Sequence, residues 1–169
     1  MRLFPVAPLA VLLALQAPRP AFAAPTKGPL LSLILESIYA QPGNALVREA
    51  AGPGLSAAFR LTDQLSIIGG GALLGSRAGH LTTFSFGLQA TLDTTPVEPF
   101  LDLAVVRLGP PGSAGYTLAT RTGGGADWHL SERFSLGLSV RTLTPLDGSL
   151  VVAGTEVALR FVVRPGAFR

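Results

Sequence analysis

The stretch that decides the fold is Gly123-Gly124-Gly125-Ala126-Asp127-Trp128-His129-Leu130-Ser131-Glu132-Arg133-Phe134-Ser135-Leu136-Gly137-Leu138-Ser139-Val140-Arg141-Thr142. In alternate positions, Ala126, Trp128 and Leu130 share a face with Phe134, Leu136, Leu138 and Val140. The opposite face carries Asp127, His129, Arg133, Ser135, Gly137, Ser139 and Arg141. A period of two is the signature of extended strands. Ser131-Glu132 leaves room only for a tight reversal, so the pair reads as an antiparallel hairpin with one apolar face and one small or charged face.

The same unit recurs along the chain. Leu31, Leu33 and Leu35 alternate with Ser32, Ile34 and Glu36, and Leu55, Ala57, Phe59 and Leu61 with Ser56, Ala58 and Arg60. Leu65 to Leu74 reads as a strand whose facing is blurred by Gly69-Gly70-Gly71. Phe84, Phe86, Leu88, Ala90 and Leu92 oppose Ser85, Gly87, Gln89 and Thr91; Leu101, Leu103 and Val105 oppose Glu98, Asp102 and Ala104. After the hairpin, Leu150 to Phe161 closes the set, with Val157, Leu159 and Phe161 facing away from Gly154, Glu156 and Arg160. The connections at 62–64, 93–96 and 131–132 are short, while those at 40–53, 75–80, 109–115 and 144–149 are mostly longer, with Gly52-Pro53-Gly54 counted as a turn signal. Eight strands with alternating short and long links predict an antiparallel up-and-down barrel, tight turns at one rim and loops at the other.

Ahead of the strands lies an apolar run, Leu9 to Leu15, after Met1-Arg2 and before Ala21-Phe22-Ala23. Basic start, apolar centre and small residues at a cleavage site predict a secretory signal peptide over residues 1–23, with the barrel over 24–169. The run is bounded by Pro5, Pro8, Pro18 and Pro20 and is too short for a helical span. Removing Arg2 and Arg19 from 13 basic residues leaves 11 against 10 acidic ones, so the exported chain is near neutral and gives no footing for nucleic acid. Charged residues are 14% of the chain, about half the usual share, and Lys27 is the single lysine. The absence of cysteine excludes disulfides and thiol chemistry.

Which face is outside is not settled by periodicity. A secreted soluble barrel carrying a small apolar ligand would turn the charges outward; a membrane barrel would turn them in. Strand-borne charges favour the second arrangement because they balance: Arg60, Arg121, Arg133, Arg141 and Arg160 against Glu36, Glu98, Asp102, Asp127 and Glu156. Such a set can neutralise itself in a narrow lumen, as buried charges must. Trp128 and Phe134 near a short turn, and Tyr39 and Tyr116 near long loops, sit where two interfacial aromatic belts belong. The expected fold is therefore an all-β, eight-stranded transmembrane barrel.

The last strand, Val152-Ala153-Gly154-Thr155-Glu156-Val157-Ala158-Leu159-Arg160-Phe161, resembles the terminal-strand signal of bacterial outer-membrane barrels. Gly154, Val157, Leu159 and Phe161 match it, while Val152 stands where a polar residue is usual and Val162 to Arg169 follow. The Gly-Ala-Asp-Trp-His-Leu-Ser-Glu-Arg hairpin is similar to those of the small OmpA/OmpX-like barrel proteins. This resemblance implies insertion into the outer membrane of a Gram-negative bacterium by the barrel-assembly machinery, contact with outer-membrane lipid, and a monomeric barrel without cofactor. It implies a structural or surface-interaction role and names no loop partner. A narrow channel is the alternative, requiring a continuous wet path past the charges.

Few residues offer chemistry. His129-Leu130-Ser131 has the His-x-Ser spacing of lipid A deacylase barrels, but no acidic residue follows at a suitable distance along the next strand, Glu132 is poorly placed to orient the histidine, and the pattern falls at a short turn, so no catalytic site is expected. His80 is a lone loop histidine, and two separated histidines make no metal site. The glycine triplets lack the lysine and following helix of a phosphate loop.

Overall fold

The computed structural model describes residues 31–42, 49–77, 79–92, 96–109, 116–146 and 154–165. The expected signal peptide at 1–23, and Leu150 to Ala153 of the expected last strand, lie outside them. Eight strands follow one another in the chain: β1 (Leu31–Pro42), β2 (Ala50–Arg60), β3 (Leu65–Ser76), β4 (Gly79–Thr91), β5 (Val97–Gly109), β6 (Thr117–His129), β7 (Phe134–Pro145) and β8 (Gly154–Val163). Each pairs antiparallel with its neighbours in sequence, and β8 pairs with β1 to close the barrel.

Closure fixes the stagger. A row of paired residues starting at Leu31 runs through Phe59, Ile67, Leu88, Leu103, Thr122, Thr142 and Thr155 and returns to β1 at Gln41, ten residues further along. A stagger of this size obliges the strands to tilt by roughly 40°. It also removes every sheet edge, so backbone groups on the ladder are satisfied without water.

Side chains divide cleanly between the two surfaces. Leu33, Leu35, Leu55, Phe59, Phe84, Phe86, Leu103, Val105, Leu138, Val140 and Leu159 are exposed on the outside, and Phe86 reaches 66% exposure. Glu36, Asp102, Asp127, Arg121, Arg141, Glu156 and Arg160 are buried inside. The undetermined strand β3 turns Ile68 and Leu74 inward and Leu73 outward, so its glycines stand on both faces. Trp128, Phe134 and Phe161 mark the short-turn end of the skin, with the last two rings stacked at 5.8 Å. At the other end Arg107 points outward and lays its guanidinium over Tyr116, 4.2 Å from the ring centre.

Two short turns are built alike. In Leu61-Thr62-Asp63-Gln64-Leu65 the Thr62 hydroxyl accepts from the backbone N–H of Gln64 and Leu65, and the Leu61 N–H donates to the Leu65 carbonyl. In Leu130-Ser131-Glu132-Arg133-Phe134 the Ser131 hydroxyl accepts from Arg133 and Phe134, and the Leu130 N–H donates to the Phe134 carbonyl. Ser131 is therefore a turn cap. The reversal is longer than Ser131-Glu132, spanning residues 130–133.

Two expected connections are shorter than the sequence suggested. Strand β2 begins at Ala50, so Gly52-Pro53-Gly54 is not a turn; Pro53 stands opposite Ser37 of β1, while the β2–β3 ladder skips Gly52 and Pro53. Proline has no N–H to give on that side. The link at 75–80 also shrinks, because β3 runs to Ser76 and β4 starts at Gly79, where the Ser76 hydroxyl donates to the Gly79 carbonyl at 2.9 Å.

The strands pack closely enough that Gly87 leaves no room for a side chain. A Cβ at Gly87 would collide with the Leu103 carbonyl oxygen and the Cα of Ala104, both backbone atoms of β5. Gly75, by contrast, has its nearest obstacle 3.7 Å away. Gly87→Val should lower the free energy of unfolding, measured by urea denaturation in lipid vesicles, by about 1–3 kcal/mol, whereas Gly75→Ala should change it little.

Candidate functional site

The lumen is the part of the molecule where chemistry is concentrated, and it has three layers. The middle layer is ionic. Arg141 on β7 donates from Nε to Asp102 Oδ2 and from a terminal nitrogen to Glu36 Oε1, both at 2.7 Å, so one guanidinium joins β5, β7 and β1 across the barrel. Arg160 on β8 lies 3.7 Å from Glu36 and 3.6 Å from Asp127, and covers the Phe100 ring at 3.8 Å. Arg121 and Glu156 are buried in the same layer. They hold no ion pair within 4.0 Å among the described residues, and Arg121 Nε and Glu156 Oε2 have no hydrogen-bond partner there.

The second layer closes the short-turn mouth. Arg164 continues β8 by one ladder bond, its N–H donating to the Arg133 carbonyl at 2.8 Å. Its side chain then turns into the lumen to meet Glu98 at 2.9 Å, Ser135 Oγ in a short contact, and His129 Nδ1 at 3.2 Å. Arginine has nothing to accept with, so Nδ1 is the acceptor and the imidazole proton sits on Nε2, 3.2 Å from Glu98 Oε2. Ser135 Oγ lies 3.0 Å from the same Nδ1. Serine, histidine and glutamate thus stand within reach of one another. Ser135, however, is wholly buried and its oxygen accepts from Arg164, which makes the group a clasp binding the end of β8 to β5, β6 and β7. Beside the clasp is a cavity of about 30 Å³, room for one water, bordered by Arg60, Gln89, Glu98, Arg160 and Arg164.

The third layer, toward the loops, is apolar. Ile38, Ala50, Leu74 and Ala158 form one cluster and Val106, Leu108, Ala119 and Leu143 another. Leu81 of β4 packs against both, so the two clusters meet across the bore.

Set against the sequence expectations, Glu36, Asp102, Arg121, Asp127, Arg141, Glu156 and Arg160 lie together in the lumen, and Glu98 lies at its mouth. Arg60 is half-buried beside the small cavity and makes no ion pair among the described residues. Arg133 departs from the expected set. It is exposed in the turn, because β7 begins one residue later and the period-two pattern does not reach it. His129 pairs with Ser135 and not with Ser131. Arg164 was missed, since the last strand was expected to end at Phe161. Its signal was present, as 156, 160 and 164 share one parity. Gly154, Val157, Leu159 and Phe161 occupy β8, the last three pointing outward. Among the described residues no group of acidic and histidine side chains could hold a metal ion.

Removing one member of a buried ionic set strands the other, at a cost of about 3–5 kcal/mol. Glu36→Gln and Asp102→Asn should each lower unfolding free energy by about that amount in urea titrations, because each leaves Arg141 short of a carboxylate. Arg60→Met, with no pair to break, should cost less than about 1 kcal/mol.

No protein-family model and no curated protein sequence matches the chain. Solved structures do. The N-terminal β-barrel domain of Pseudomonas aeruginosa OprF matches with a TM-score of 0.58 at 14% identity, over 78% of this chain and 96% of that one. Neisserial surface protein A matches with 0.58 at 15%, over 80% and 97%. The Yersinia pestis outer-membrane protein Ail, in a phospholipid bilayer nanodisc, matches with 0.51 at 16%, over 79% and 99%. The chain has the fold of the small eight-stranded outer-membrane β-barrels.

Proposed function

We propose that this protein is an integral barrel of a Gram-negative outer membrane, a scaffold that holds short loops at the cell surface. One observation carries the reading: the molecule is inside out relative to a soluble protein. Large apolar side chains cover the skin, and the fully buried side chains include Arg141 and Arg160. Water would reverse that distribution; lipid requires it, and the closed ladder meets the bilayer's demand that backbone groups be internally satisfied.

The outward row Val157, Leu159 and Phe161, opened by Gly154, is available for recognition by the barrel-assembly machinery during insertion. The barrel then acts as a monomer without cofactor. Tyr39, Glu49, Arg77, His80 and Tyr116 stand exposed at the loop end, the part available to an extracellular partner. The clasp at one mouth and the apolar layer beneath the loops argue for a closed bore. A channel needs a wet path, and apolar side chains packed across the bore oppose one. The buried serine argues equally against an enzyme.

Cell fractionation tests the reading. The protein should be recovered with the outer membrane, need detergent for extraction, and migrate faster on gels unboiled than boiled. Reconstituted in planar bilayers it should leave the conductance at baseline. Recovery in a soluble fraction would overturn the membrane placement, and discrete single-channel steps would restore the channel alternative.

A further inference from the structure

The outer surface is not evenly bulky. Along one paired row, Leu65 of β3 faces Ala90 of β4, Ala90 faces Leu101 of β5, and Leu101 faces Gly124 of β6. The row spans three inter-strand steps, about 14 Å. Its floor is made by Ala90, Pro99 and Gly124, and its banks by Leu65, Leu92 and Leu101, leaving a groove of about 550 Å³ on the outside of the barrel. The hollow is built into the backbone. A Cβ at Gly124 would strike the Phe100 carbonyl oxygen at 2.6 Å and a methyl of Leu101 at 2.8 Å, so glycine lets Leu101 lie down against the strand. Volumes of this size match those of ligand sites.

One end of the groove is polar. Thr62 and Gln64, in the capped turn between β2 and β3, border it at the short-turn rim. From there the lining becomes apolar as it climbs toward the middle of the skin. That gradient suits an amphiphile in one orientation, with its ester end at the rim and its chain along the row. The groove is continuous with the lipid-facing skin, and short turns mark the periplasmic side of such barrels, where the leaflet is phospholipid.

We infer that this groove is a binding site for a phospholipid of the periplasmic leaflet, one acyl chain lying along the row Leu65, Ala90, Leu101 and Gly124. The site rests on the membrane placement proposed above and adds to it a fixed lipid where the rest of the skin is bathed by exchanging ones. Ala90 is the point at which it can be closed, because its side chain faces outward at the centre of the floor and a larger one fills the hollow without touching the lumen.

The test uses the full protein, extracted from membranes in detergent and titrated with dioleoylphosphatidylethanolamine, with bound lipid counted by native mass spectrometry. One lipid per barrel should be retained by the unaltered protein. Ala90→Phe should lower the retained fraction by roughly tenfold, the loss of about two buried methylenes of chain. Ala57→Phe, on the exposed skin of β2, should leave it unchanged. Heat-dependent gel mobility of both variants confirms that each is folded. Equal retention by Ala90→Phe, equal loss in Ala57→Phe, or no retained lipid at all overturns the site while leaving the membrane placement intact. A paired barrel that Ala90→Phe separates also overturns it, by making the occupant a second copy of the chain. A protein that needs no detergent would remove the membrane placement itself.

Discussion

Arg141 cannot reach water, and most of the structure follows from that. Its guanidinium is 1% exposed and sits between Glu36 and Asp102, carboxylates from strands more than sixty residues apart in sequence. Burying an unpaired ion costs several kcal/mol even after relaxation, so the three groups must come together when the barrel closes or not at all. Slipping a strand by one residue would turn its charge onto the skin, so the charges restrict the register each strand can take. The ionic layer thus acts as a register mark. It makes the closed, tilted barrel the arrangement in which the charges of the middle layer are kept from lipid.

The remaining features complete that arrangement. At the short-turn mouth, Arg164 draws the end of β8 toward β5, β6 and β7, securing the strand that would otherwise fray. Toward the loops, Leu81 joins two apolar clusters that lie above the ions. Arg160 shares its charge among Glu36, Asp127 and the Phe100 ring, spreading the compensation across four strands. Polarity therefore runs from ionic at the centre to apolar on the skin, the opposite of a protein folded in water.

Much of this was legible in the chain because a period of two survives in nearly every strand. The eight strands and the common face of Glu36, Asp102, Asp127 and Arg141 follow from parity; that this face turns inward follows from the balance of its charges. Strand ends were harder, since glycine and proline mark turns in water but also occur within strands. Gly52-Pro53-Gly54 lies inside β2, where a ladder can lose a bond on one side. Facing failed in β3 because Gly69-Gly70-Gly71 has no side chains to alternate. Arg133 was wrongly drawn into the lumen because parity was carried through a turn, where it has no meaning. Arg164 was overlooked for the opposite reason, its parity having been cut short at Phe161. Which carboxylate each arginine meets was not legible at all, for it depends on the stagger of the closed sheet.

Trp128 offers the most direct check, being the chain's single tryptophan, 60% exposed, and on the outer face near the short-turn end. Its fluorescence should be measured in vesicles of phospholipids brominated at successive depths along the acyl chain. Strong quenching by bromines near the headgroup, weakening toward the bilayer centre, with little effect of aqueous iodide, is the result expected if the apolar skin faces lipid and the ions lie within. Quenching by iodide and none by brominated lipid would contradict that account, for it would place the tryptophan and the skin around it in water.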